Sequence, residues 1–93
     1  AAAFAWGTAT LSTSWTGPDA QGYYTQVVTA TGVLATDNVD VTRVISVSDK
    51  AAAELIQEAW NQISECVVNA NTLTFYAAEK PSVAIPIVWK VVR

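Results

Sequence analysis

Histidine and methionine are both absent from this sequence of 93 residues. Without histidine, the chain can form neither a Ser-His-Asp nor a Cys-His catalytic unit, and it can form no His-ligated zinc, iron or copper site. Cys66 is the single cysteine, so an internal disulfide and a CxxC motif are also excluded. The composition therefore predicts a protein that is not an enzyme and that uses no cofactor or metal.

Charged residues are scarce, at 14% of the sequence with a net charge of −3, where about a quarter is usual. The five basic residues are scattered, so we predict no nucleic-acid partner, which would need a clustered basic face. No apolar run approaches the roughly 20 residues of a membrane-spanning helix, so we predict no membrane contact. With 52% hydrophobic residues, either a partner covers part of the surface or threonine and serine form a neutral face.

The length predicts one domain. We expect residues 1–7 to form an N-terminal extension and residues 8–93 to form a single domain. A start at Ala-Ala-Ala indicates a chain that is processed, truncated or part of something longer. The first seven residues lack the basic and long apolar regions of a signal peptide.

Alternation of apolar and polar residues predicts five strands, with residues 66–68 as a further short candidate. The five cover residues 8–16, 23–33, 39–47, 72–77 and 83–92. In the fourth strand the inward residues are Leu73, Phe75 and Ala77, and Tyr76 points outward. In the last strand one face consists of Val83, Ile85, Ile87, Trp89 and Val91. In the last strand, Pro86 cannot donate a ladder hydrogen bond, which indicates an edge strand or a bulge. Because this strand is apolar on both faces, such an edge would be a candidate for packing against another subunit.

One helix is predicted between the third and fourth strands, beginning at Ser48-Asp49 and ending near Glu65. Ser48 would cap the first free N–H groups and Asp49 would suit the positive end of the helix dipole. An apolar stripe at helical spacing would face the sheet, with Trp60 beside it; the stripe consists of Ala52, Leu55, Ile56, Ala59 and Ile63. The order β-β-β-α-β-β predicts an α+β fold with a mostly antiparallel sheet or a small sandwich.

Aromatic residues suggest both core and contact roles. Trp15 and Trp89 fall on predicted inward faces and are expected in the core. Tyr23 and Tyr24 begin a strand beside a Gly-Pro loop, so they are candidates for exposed contacts with sugars or a partner. Arg43 falls on an apolar strand face, where it reaches solvent along a buried stem, pairs with a carboxylate or contacts a partner.

The few remaining reactive groups favour structural roles. Glu54 and Glu58 share a helix face, which is typical of solvated charge rather than of a catalytic carboxylate pair in a cleft. Cys66 lacks a base that could activate it, and the neighbouring Glu65 would raise its pKa. We expect Cys66 to act as a small buried hydrophobic residue.

Four segments together resemble a small β-rich module of virion structural proteins, often called head-fibre or tail-fibre-like proteins, from tailed phages and prophages of Gram-positive bacteria. They read SWTG…YYTQVVTATGVLATDNVDV, AAAELIQEAW, NTLTFYAAEKPSVAIPI and KVVR. The most characteristic pattern is T-x-Y-A-x-E-K-P-x-x-x-I-P-I, and here its residues are Thr74, Tyr76, Ala77, Glu79, Lys80, Pro81, Ile85, Pro86 and Ile87.

The resemblance implies a non-enzymatic virion structural protein, either a head-fibre or decoration protein or a tail-associated module. It implies binding to phage capsid or tail subunits, self-association as a homo-oligomer such as a trimer, or both. The location implied is the virion, and the host cytoplasm during assembly. The alternative is a host-recognition module that binds cell-surface carbohydrate. The predicted partner-binding residues are Tyr23, Tyr24, Arg43, Pro86, Val88, Lys90 and Val92.

Overall fold

The computed structural model of the chain describes residues 4–44 and 48–92, which form two antiparallel three-stranded sheets and one helix. The predicted α+β class is confirmed. The elements are β1 (Phe4–Leu11), β2 (Tyr24–Thr29), β3 (Val39–Arg43), α1 (Lys50–Asn61), β4 (Ile63–Asn69), β5 (Thr72–Ala77) and β6 (Ile85–Val92).

Each sheet has a central strand from the C-terminal part of the chain. Sheet A has the order β1-β6-β3, and sheet B has the order β2-β5-β4. In sheet A, Gly7 and Val41 lie on either side of Trp89. In sheet B, Gln26 and Cys66 lie on either side of Phe75. A tight turn joins β4 to β5, and in it Asn71 adopts a positive φ of 62°. Asparagine tolerates this conformation better than most residues do.

Alternate residues of both central strands enter one hydrophobic core. The buried members of that core include Leu73, Phe75 and Ala77 from β5, and Ile85, Ile87, Trp89 and Val91 from β6. The Cα atoms span only 16 Å along the shortest axis, as expected for two layers of strands packed about 10 Å apart. The inward faces predicted for these two strands are thereby confirmed.

The helix connects the edge of sheet A to the edge of sheet B and contacts β3, β4 and β6. Its N-cap is Asp49, whose carboxylate accepts a hydrogen bond from the Ala52 N–H at 3.1 Å. The prediction that Ser48 is the cap is therefore wrong. Ala59 is buried and Trp60 packs against the core, whereas Leu55 is 49% exposed. The buried face is thus rotated toward Trp60.

On the other side of the sandwich, the segment between β1 and β2 joins the two sheets. Gln26 acts there as a clamp: its side chain accepts a hydrogen bond from the Ser12 N–H at 2.8 Å and donates to the carbonyls of Ser12 and Ser14. Thr16 and Thr25 then exchange two backbone hydrogen bonds. Because β1 belongs to sheet A and β2 to sheet B, these bonds hold the two sheets together at this corner.

Several predicted boundaries are wrong. β1 begins at Phe4 and ends at Leu11, so residues 4–7 belong to the sheet and not to an extension. The helix ends at Asn61 rather than near Glu65, and Ile63 begins β4, which contains the short strand candidate at residues 66–68 and is longer than predicted. Residues 45–47 of the predicted third strand lie outside the described residues.

The edge position predicted for the last strand is also wrong, because β6 is central in sheet A. Pro86 is accommodated at the end of the pairing with β3. Its carbonyl accepts a hydrogen bond from the Val44 N–H at 2.8 Å. An antiparallel pair would return a bond from the N–H of residue 86, which proline lacks. The β3 strand accordingly ends at Arg43, one residue before Val44.

Candidate functional site

The outer surface of sheet A is the first candidate contact surface, termed face A. The register aligns its side chains in cross-strand rows, since directly paired residues point to the same side. The rows are Trp6–Lys90–Asp40, Thr8–Val88–Thr42 and Thr10–Pro86. Face A is therefore a surface of tryptophan, threonine, valine and proline, with one acidic and one basic residue in a single row.

Some apolar side chains of face A remain exposed to solvent in the folded single chain. Trp6 is 63% exposed, which is the highest exposure among the large hydrophobic residues described. A shallow depression of about 360 Å³ lies between β3 and β6, lined in part by Asp40, Thr42, Val88 and Lys90. An exposed aromatic beside a mainly uncharged surface is the arrangement found where proteins bind other proteins.

The second candidate surface lies at one end of sheet B and is termed the tyrosine cleft. The rings of Tyr23 and Tyr76 meet edge to face, with centroids 6.4 Å apart and planes at 87°. Asp19 positions Tyr23 by accepting a hydrogen bond from its backbone N–H at 2.9 Å. A cleft of about 470 Å³ opens there, lined by Asp19, Gln21, Tyr23, Ser64, Glu65, Val67 and Tyr76. Aromatic rings beside carboxylate and amide groups can bind polar ligands that also have apolar faces.

The seven predicted partner-binding residues lie in different parts of the molecule. Pro86, Val88 and Lys90 lie together on face A. Tyr23 lies in the tyrosine cleft of sheet B and not on face A. Tyr24 is half-buried and packs against the core. Successive strand residues point to opposite faces, so the two neighbouring tyrosines cannot both contact one partner. Val92 ends β6 opposite Phe4, and its side chain is outside the described residues.

Arg43 lies on the inner side of sheet A, in register with the buried Ile87. It is half-buried, and its Nε is enclosed without a hydrogen-bond partner among residues 4–44 and 48–92. Within that part of the chain no ion pair to Arg43 is found, and Lys50 and Glu54 form a pair at 3.2 Å. Arg43 therefore belongs to neither candidate surface.

Two residues that sequence reasoning did not select belong to the candidate surfaces. Trp6 was assigned to the extension, so its position in β1 was missed. Tyr76 was predicted to point outward but was not connected with Tyr23, because that contact depends on the pairing of β2 with β5. The sequence signals for Tyr76 were the alternation within its own strand and its place in the T-x-Y-A-x-E-K-P pattern.

The reactive groups considered from the sequence show little activation. Burial raises the pKa of the Cys66 thiol to about 11, and the negative charge of Glu65 adds to the rise. Cys66 packs against the core, as expected for a structural cysteine. Among the described residues, no group of three or more acidic, cysteine or histidine side chains could hold a metal ion. The described part of the chain also has no helix with the length and apolar character needed to cross a membrane.

No protein-family model, no curated protein and no solved structure matches this chain. The candidate functions therefore depend on the geometry of the two surfaces and on the sequence segments themselves.

Proposed function

We propose that this chain is a non-enzymatic structural protein of a tailed-phage particle and that it binds a capsid or tail subunit through face A. The observation that carries the binding role is the exposed Trp6 on the same continuous sheet surface as Val88 and Pro86. The phage context is supported by the Glu79-Lys80-Pro81 to Ile87 segment and its resemblance to virion proteins.

The chemistry of face A favours burial against another protein. Removing apolar surface from water contributes about 25 cal/mol per Å², and threonine and valine carry no charge that must be desolvated. Asp40 and Lys90 share one row with Trp6 at the end of the face. That position suits the polar rim of an interface, because charged residues are depleted at interface centres and aromatic residues are enriched there.

A pair of variants tests face A directly in assembling particles. Trp6→Ser removes the exposed ring, and Leu34→Ser is the matched control, because Leu34 is 51% exposed and lies in a loop outside the rows of face A. We expect Trp6→Ser to reduce incorporation into particles about tenfold or more, as for a large aromatic side chain that binding buries, with little effect of Leu34→Ser. Mass spectrometry of purified particles measures the incorporation.

Absence of the unmodified chain from mature particles would refute the virion role. Equal incorporation of Trp6→Ser and the unmodified chain would refute the role of face A while leaving the virion role standing. Circular dichroism of both variants distinguishes lost binding from lost folding.

The second candidate is a host-recognition module that binds cell-surface carbohydrate in the tyrosine cleft. The observation that favours it is the edge-to-face pair of Tyr23 and Tyr76 beside the carboxylates of Asp19 and Glu65. Aromatic faces stack on sugar rings, and the carboxylates would accept hydrogen bonds from hydroxyl groups.

Glycan arrays followed by calorimetry test this candidate. We expect Tyr23→Ala to weaken binding about tenfold or more, while Val27→Ala should have no effect, because Val27 lies on the same sheet outside the cleft and is 61% exposed. An array without any bound glycan would refute the carbohydrate role.

A further inference from the structure

The four edge strands of the two sheets differ in how they are protected from pairing with other chains. Natural sheets protect their edges with charges, bulges, proline or a covering segment. β3 is five residues long and carries Asp40 and Arg43. β4 contains Glu65 and an irregularity after Ile63. β2 is covered by the Gln26 clamp and the Thr16–Thr25 bridge.

Within its own eight residues, β1 has none of these features, and the Gln26 clamp reaches only Ser12, one residue beyond its end. β1 is eight residues long, contains no charge and no proline, and pairs with β6 without a register shift. Among the described residues, β6 is its only strand partner. It is therefore the least protected sheet edge in the part of the chain that the structure describes.

The hydrogen-bonding direction of each β1 residue follows from Pro86. The Pro86 carbonyl accepts a hydrogen bond from the Val44 N–H, so the backbone groups of residue 86 point to the side of β6 on which β3 lies. Because successive residues of a strand bond to opposite sides, Ile85, Ile87 and Trp89 bond to β1. Their partners are Leu11, Ala9 and Gly7, so the N–H and C=O groups of Trp6, Thr8 and Thr10 point away from β6.

The Gln26 clamp supports the same alternation independently. Ser12, two residues after Thr10, directs both its N–H and its carbonyl to Gln26 on the side away from β6. Beyond that clamp, the free backbone groups of Trp6, Thr8 and Thr10 have no partner among the described residues. They form a row of alternate donors and acceptors that can take another strand.

We propose that β1 pairs with β1 of a second copy of this chain, antiparallel and about a two-fold axis at Thr8, to give a continuous six-stranded sheet. In that register Thr8 lies opposite its own copy and Trp6 lies opposite Thr10 of the copy. Gly7 and Ala9, both small, also lie opposite each other. Thr–Thr and aromatic–β-branched pairs are favourable cross-strand pairs, and no charged residue of β1 opposes another.

A two-fold contact of this kind is closed, so it yields a dimer rather than a filament. The pairing edge is smaller than the roughly 800 Å² per partner of a standard stable interface. We therefore expect a dimer whose population depends on concentration. The inference rests on the β1 edge alone and is independent of the phage role.

The experiment compares lysine at two equivalent threonines of the 93-residue chain. Thr8 and Thr42 lie in the same row of face A, on either side of Val88, and both are exposed. Thr8→Lys sets two positive charges opposite each other across the axis, whereas Thr42→Lys adds the same charge at the far edge. Sedimentation equilibrium over a range of concentrations measures the dimer dissociation constant for each.

We expect Thr8→Lys to weaken the dimer about tenfold or more, because like charges directly opposite repel, and Thr42→Lys to leave it nearly unchanged. A mixture of Thr8→Lys and Thr8→Glu should restore association, since opposite charges then meet at the axis. A monomer at every concentration, equal effects of the two lysines, or no restoration in the mixture would overturn the proposal.

Discussion

In sheet B the central strand buries Leu73, Phe75 and Ala77, and in sheet A the central strand buries Ile85, Ile87, Trp89 and Val91 in the same core. The outer surfaces differ. Sheet A presents face A, a mainly uncharged surface of threonine, valine and tryptophan with one acidic and one basic residue. Sheet B presents the tyrosine cleft with its carboxylates.

The comparison teaches that the two sides of a sheet serve different purposes. The inner sides are alike, because any well-packed apolar residue stabilises the fold when it is removed from water. The outer sides distinguish the sheets, because their residues remain available to a partner. We therefore relate function in this protein to the difference between the two outer surfaces. Stability depends on the apolar character that the two inner surfaces share.

The largest expected effect tests the shared core. We expect Phe75→Ala in sheet B to cost about 3–5 kcal/mol and Ile87→Ala in sheet A about 2–5 kcal/mol of the free energy of unfolding. Both side chains are almost completely buried in one cluster, so urea should unfold each variant in a single transition. Exposed controls, Val27→Ala in sheet B and Thr42→Ala in sheet A, should stay within about 0.5 kcal/mol. Two separate transitions would contradict a shared core.

A smaller effect is expected where sheet A alone is overpacked. A Cβ atom added at Gly7 would lie 2.6 Å from Cζ2 of Trp89, so Gly7→Ala must displace the ring. We expect a loss of about 1–3 kcal/mol in chemical denaturation, with a change in tryptophan near-ultraviolet circular dichroism. Thr8→Ala, on the exposed side of the same strand, is the control. Adding Trp89→Phe to Gly7→Ala should recover part of the packing, and no coupling between the two changes would contradict this explanation.

The joint between the sheets is tested by Gln26→Leu, which removes three hydrogen bonds to Ser12 and Ser14. Because these groups are near solvent, we expect a modest loss of about 1 kcal/mol. Amide exchange at the Thr16–Thr25 bridge should accelerate, while exchange within β5 and β6 should change less. Gln21→Leu makes the same chemical change in an exposed turn and should leave exchange at the bridge unaltered. Equal protection in both variants would show that the clamp does not join the sheets.

The smallest effect concerns Cys66 at the edge of sheet B. Its pKa is about 11 in the folded chain, against an ordinary value of 9.0. The neutral thiol is thus favoured by folding, so stability should fall as pH rises from about 9 through 11. Cys66→Ala should lose this part of the pH dependence in thermal unfolding. Alkylation of the thiol at pH 8 should be slow relative to the unfolded chain, and equally fast alkylation would contradict the raised pKa.

Local alternation predicted the inner faces well. Leu73, Phe75, Trp89 and Val91 are all buried as expected, because the two-residue period of a strand is a property of the strand itself. β5 has the predicted bounds for the same reason. Ile63 was assigned to the helix, since its spacing continues the helical stripe, and the strand candidate at residues 66–68 was therefore too short at its beginning.

Strand order and the candidate surfaces could not be predicted in the same way. Nothing local in β6 reveals that β1 and β3 lie on either side of it, so Pro86 was interpreted as an edge signal. The contact of Tyr23 with Tyr76 likewise depends on register between strands about 50 residues apart. The alternation that separates Tyr23 from Tyr24 was available in the sequence, but it was not applied to that pair.

The topology also has a consequence for how the chain acquires its structure. The pairing of β1 with β6 joins Phe4 to Val92, whereas β4 and β5 pair across a short turn. Contacts between residues far apart in sequence slow folding, because loops must close before the contacts form. During synthesis, sheet A cannot assemble until residues 85–92 have left the ribosome. Until then, the uncharged β1 lacks its strand partner β6. Because β4 and β5 are close in sequence, we expect folding to begin at the β4–β5 hairpin.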